Sequence, residues 1–82
     1  MREIQIAGPP GRLCDQTEQR VTRLIEERRL DCSVELVGDF DKIIELGVYA
    51  IPGVLIDGVL KSVGRVPEND ELVGWLGLDR SL

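Results

Sequence analysis

The chain has 82 residues, 43% of them apolar and 30% charged, which describes a small globular protein and argues against disorder; a single domain over residues 1–82 is expected. Ten Lys and Arg against fifteen Asp and Glu give a net charge of −5, which opposes nonspecific contact with nucleic acid or an anionic membrane. There is no histidine, and two cysteines, Cys14 and Cys32, are too few for a disulfide scaffold or a metal site, so neither metal nor cofactor is expected.

The N-terminus opens on Met1-Arg2-Glu3-Ile4, without the apolar stretch and cleavage site of a signal peptide. No apolar run approaches the ~18 residues of a bilayer span. A cytoplasmic protein is the expectation. Residues 2–7 alternate, Ile4 and Ile6 against Glu3 and Gln5, and predict a strand. Gly8-Pro9-Pro10-Gly11 breaks it. From about Leu13 to Arg29 the apolar residues Leu13, Cys14, Val21, Leu24 and Ile25 fall at helical spacing, opposite Glu18, Arg20, Arg23, Glu26 and Glu27. This is an amphipathic helix with one buried stripe. Residues 32–37 alternate again and predict a second strand, with Cys32, Val34 and Leu36 on its core side. Strand, helix, strand is a βαβ unit with a parallel pair and a right-handed crossover.

Gly38-Asp39 then opens a short helix, capped by Asp39, with Phe40, Ile43, Ile44 and Leu46 on its apolar side and Gly47 at its end. Val54-Leu55-Ile56 and Val59-Leu60 flank Asp57-Gly58, a two-residue hairpin signal in which both central residues take positive φ. Gly64 ends the hairpin. Pro67-Glu68-Asn69-Asp70-Glu71 starts a last helix, its acidic residues near the positive end and Leu72, Val73, Trp75 and Leu76 on its apolar side. That acidic group reads as a helix start, not as a metal site, and Trp75 as a core or dimer contact.

The order β-α-β-α-β-β-α, with X-Pro before the third strand and a broken loop after the first, resembles the thioredoxin/glutaredoxin fold. The resemblance is closest to the small redox-active disulfide protein 2 family. Its most specific part is Ala50-Ile51-Pro52-Gly53-Val54-Leu55-Ile56-Asp57-Gly58-Val59-Leu60-Lys61, followed by Gly64-Arg65-Val66, which is similar to the family's cis-proline loop and hairpin. The resemblance implies an α/β thioredoxin-like fold, a four-stranded mixed sheet with helices on both faces, and a cis bond before Pro52. It also implies thiol–disulfide exchange at a CxxC motif. Here those four positions read Gly11-Arg12-Leu13-Cys14, so the cysteine that attacks substrate in the family is Gly11. Cys14 is left as the candidate thiol. Gly11, Arg12, Leu13, Ile51 and Pro52 are the implied substrate-binding positions, facing a protein or small-thiol partner.

Two readings of Cys14 stand side by side. In one it is a lone reactive thiol near a helix N-terminus, with a lowered pKa and Arg12 as an anion-stabilising neighbour. In the other it is a buried remnant packed like a small hydrophobe, and the fold serves as a binding module at the Pro52 surface. Cys32 does not replace the missing cysteine, because about fifteen helical residues put it roughly 20 Å from Cys14, against the ~7 Å a disulfide allows. The loop Gly8-Pro9-Pro10-Gly11-Arg12 reads as a stiff turn, and more weakly as an anion site beside Arg12.

Overall fold

The computed structural model describes residues 2–77; residue 1 and residues 78–82 of the expected domain lie outside that span. The elements follow the expected order: β1 (Arg2–Ala7), α1 (Arg12–Arg28), β2 (Cys32–Val37), α2 (Phe40–Glu45), β3 (Gly53–Ile56), β4 (Val59–Val63) and α3 (Asn69–Trp75). They form one mixed sheet in the order β2-β1-β3-β4. β1 and β2 are parallel, Ile4 opposite Val34 and Ile6 opposite Leu36. β3 runs antiparallel to β1, and β4 to β3. This is the thioredoxin-like α/β fold.

Alternation sorts the side chains to two faces. Ile4, Ile6, Val54 and Ile56 meet Val21 and Leu24 of α1 and Leu72 and Leu76 at α3 on one face. Ala7, Val37 and Leu55 meet Ile43 of α2 and Val48 on the other. Trp75 is partly buried against the first of these cores. Full burial of such an aliphatic side chain stabilises by about 1.5–3 kcal/mol, so the thin core still outweighs any single polar contact on the surface.

Helix α1 stops where Arg29 turns left-handed at φ 53°, and the chain re-enters the sheet at Cys32. α2 begins where the Asp39 carboxylate accepts the amide of Asp41 at 3.1 Å. The hairpin turn has φ 51° at Asp57 and φ 82° at Gly58, the mirror-image turn that Asp-Gly favours. The Asp57 carboxylate also reaches β1, accepting the Glu3 amide at 2.9 Å and the Arg2 guanidinium at 3.0 Å. Arg20 of α1 ties down the segment leading into α3 (Asn69–Trp75) by donating to the carbonyl of Pro67 at 2.9 Å.

Four residues expected on apolar faces are exposed: Leu13, Leu36, Phe40 and Ile44. The reason is coverage. α1 and α3 pack over the middle of the sheet, while β2 is an edge strand and its Leu36 lines an open groove instead of the core. α2 is six residues long and buries only Ile43, so Phe40 and Ile44 flank the buried position and face solvent. Cys32 and Val34 pack against the first core but are only partly buried, because their strand is at the edge. Thr17 is buried instead, its hydroxyl donating back to the carbonyl of Leu13 at 2.7 Å.

Candidate functional site

The site lies where β1 ends and α1 begins. The amide of Gly8 donates to the carbonyl of Val37 at 2.8 Å, which ties the turn to the end of β2. Pro9, Pro10 and Gly11 then lead into the helix, and the carbonyl of Gly11 accepts the amide of Asp15 at 2.9 Å, closing the first turn. Cys14 is the third residue of α1 and is half-buried. The Ile51–Pro52 peptide bond is cis, and Pro52 is buried at the foot of β3. The carbonyl of Pro52 is already engaged by the amide of Gly64 at 2.9 Å.

All six residues expected at the site meet in one groove of about 220 Å³, lined by Gly11, Arg12, Leu13, Cys14, Ile51 and Pro52 together with Pro9 and Pro10. Leu13 and Ile51 are 46% and 42% exposed, so the groove offers apolar surface on both sides of the sulfur. Arg12 supplies its cation.

A second groove, which the sequence reading missed, opens on the other side of Cys14. It measures about 270 Å³ and is lined by Ile6, Gly8, Pro10, Cys14, Asp15, Glu18, Leu36 and Gly38. Leu36 is exposed because this groove lies beside it. One signal was available in the sequence: Glu18 follows Cys14 by four residues and so shares its helix face. Cys14 therefore stands between two grooves of different charge, one carrying Arg12 and the other Asp15 and Glu18.

The sulfur is not activated. Burial pushes the Cys14 thiol up from its ordinary value, and the Asp15 carboxylate pushes it further the same way. The expected lowering by Arg12 and the helix N-terminus does not offset them. Position explains this: Cys14 lies inside the first turn rather than at its cap, and its sequence neighbour is an acid. Cys32 is also raised by burial, with the Arg2 backbone and side chain pulling the other way. Both cysteines are free.

Gly11 is not demanded by the backbone. Its φ of 173° is extended, and a β-carbon there would meet nothing closer than the carbonyl of Pro9 at 3.9 Å. The fold leaves room for a side chain at the position where the chain has none. Among the described residues no group of three or more His, Cys, Asp or Glu is arranged to hold a metal, and no helix is long and apolar enough to cross a membrane.

Comparison with known proteins agrees with this architecture. The thioredoxin domain family model matches residues 2–77. A thioredoxin of Methanothermobacter thermautotrophicus is 35% identical over 72 residues, covering 88% of this chain and 94% of that protein. A thioredoxin of Methanocaldococcus jannaschii is 33% identical over 69 residues, covering 84% of this chain and 79% of that protein. A family model spanning the described residues and two relatives aligned over most of their own length leave one assignment: the chain belongs to the thioredoxin-domain family of redox proteins.

Proposed function

We propose that this protein works as a monothiol, its Cys14 forming a mixed disulfide with a small thiol or a protein cysteine seated in the Pro52 groove. The observation that carries this reading is the single groove joining Cys14 to Gly11, Arg12, Leu13, Ile51 and Pro52. The Cys14 thiolate attacks a disulfide sulfur, one half of that disulfide leaves as a thiolate, and Cys14 retains the other half. With Gly11 in place of a second cysteine, no intramolecular step releases the bound half, so a further thiol must do so. A raised thiol is also the poorer leaving group. An incoming thiolate therefore attacks the Cys14 sulfur more productively, expels the bound half as the better leaving thiolate and takes its place, so Cys14 stays capped. The chemistry is slow capture rather than rapid turnover. A reducing compartment such as the cytoplasm suits it, since it supplies the releasing thiol.

A second reading keeps the groove and drops the chemistry. The half-buried, unactivated thiol and the exposed Leu13 and Ile51 favour a module that binds an apolar peptide across Pro52. Alkylation of Cys14 against pH, in a Cys32→Ser background, separates the two. The monothiol reading expects modification of the folded protein that rises as the thiol ionises. Modification that appears only on denaturation, with peptide binding that survives Cys14→Ser, would move the assignment to the binding module.

A further inference from the structure

We propose that the second groove beside Cys14 selects small disulfides carrying an ammonium group near the sulfur, with Asp15 and Glu18 binding the cation. The inference rests on the monothiol reading of Cys14, leaves the Pro52 groove to a protein cysteine, and gives small disulfides a seat of their own with the residues that read their charge. The groove has an apolar floor, Ile6 and Leu36, and glycines at Gly8 and Gly38 that leave the floor open. Its charged lining residues are Asp15 and Glu18, both acidic. Cys14 lines the same groove, and Glu18 stands one helical turn from it on the same face of α1. A short aliphatic disulfide lying in this space puts its sulfur at Cys14, its methylenes on Leu36, and a terminal ammonium between the two carboxylates. An anionic disulfide entering the same way meets like charge.

The step balances without any outside oxidant. The Cys14 thiolate attacks one sulfur of the reagent, a Cys14–sulfur bond forms, and the reagent's own S–S bond breaks. The departing half leaves with the electron pair, takes up a proton and is released as the free aminothiol. Cys14 and the retained half hold the oxidised state as the mixed disulfide.

The test measures adduct formation by mass spectrometry on the full chain carrying Cys32→Ser. Three reagents are used: cystamine (cationic), hydroxyethyl disulfide (neutral) and dithiodipropionate (anionic). Each rate is divided by its rate with the same chain unfolded in urea, which cancels the reagents' intrinsic reactivities. The expected order is cationic over neutral over anionic. Two nearby carboxylates at water's dielectric give about three- to tenfold between the first two at low ionic strength. That preference collapses at about 1 M salt, where the screening length is about 3 Å. Glu18→Gln reduces it, whereas Glu27→Gln, an equal change in net charge far along α1, does not. Equal normalised rates for the three reagents, or equal losses in the two variants, would overturn the proposal while leaving Cys14 as an exchanging thiol. Failure of the folded protein to react with any of the three would overturn the monothiol reading and this inference together.

Discussion

The sulfur of Cys14 rests over Gly8, so close that a β-carbon built on Gly8 would fall 2.5 Å from it and 3.4 Å from the Ile51 β-carbon. That contact partly buries the thiol, and burial is the leading cause of its raised pKa. Gly8→Ala is therefore expected to rotate Cys14 out of its seat and towards water. Alkylation at neutral pH should become severalfold faster, and its pH midpoint should move down towards the ordinary thiol value. The melting temperature should fall in either case, because Gly8 holds φ 157°, which an alanine adopts only under strain; an unmoved midpoint would mean that the sulfur keeps its seat and that Gly8 does not set its burial.

The start of α3 makes a pH-dependent contribution of definite sign. Glu71 accepts both guanidinium nitrogens of Arg65 and the amide of Glu68. These bonds, led by Arg65, hold its carboxyl down from 4.5 to about 2. A carboxyl lowered on folding stabilises the fold fully above its unfolded value and loses that contribution as pH falls through its folded value. The window is therefore between about 4.5 and about 2. Glu71→Gln should melt lower than wild type at pH 7, and the gap should close as acid protonates the wild-type carboxyl. A gap of constant size from pH 7 to pH 2 would show that the charge of Glu71 contributes nothing.

The fold was largely legible because its signals are local. The Asp57-Gly58 turn, the Asp39 cap and the alternation of β1 each depend on residues close in sequence. What escaped depends on coverage and register. Leu36 has the parity of a core residue, yet on an edge strand it borders an open groove and is exposed. In β4, Leu60 and Ser62 share sequence parity but face opposite ways. Val54 pairs with Ser62 and Leu55 with Leu60, so a bulge at Lys61 shifts the register. The six expected site residues were placed by a family resemblance rather than by spacing. The groove beyond Cys14 joins β1, α1 and the end of β2, and its one local trace, Glu18 four residues after Cys14, does not name the strands that complete it.

Gly53 connects the Pro52 loop to the second core by lacking a side chain. A β-carbon on it would fall 2.6 and 2.9 Å from the two γ-carbons of Val48, itself buried. Neither partner is the free end of a long chain, so Gly53→Ala overpacks the core and is expected to cost about 1–3 kcal/mol. Val48→Ala removes those γ-carbons. The double variant should be more stable than the sum of the single losses predicts, by at least about 0.5 kcal/mol. Chemical denaturation of the four proteins measures this coupling. Strict additivity would place the cost of Gly53→Ala elsewhere than in the Val48 contact.

Gly11 separates this chain from a two-cysteine exchanger, and the backbone would accept the missing residue. Gly11 is extended at φ 173°, has open space around its would-be β-carbon, and precedes Cys14 by one helical turn. Across that turn the α-carbons are about 5 Å apart, inside the range a disulfide spans. Gly11→Cys, in the Cys32→Ser background, should therefore lose two titratable thiols on oxidation, whereas its parent loses one only when a second molecule supplies the partner sulfur. The new thiol would also sit at the helix cap, where free amides favour the thiolate better than they do at Cys14. It should attack first and leave Cys14 to resolve. Reduction of hydroxyethyl disulfide by dithiothreitol should then run faster over the protein-free reaction in the variant than in the parent, whose adduct waits for dithiothreitol itself to release it. A variant that folds, keeps both thiols free under oxidant and reduces the reagent no faster than its parent would mean that Cys14 cannot reach the neighbouring position, and that its seating rather than Gly11 limits the exchange.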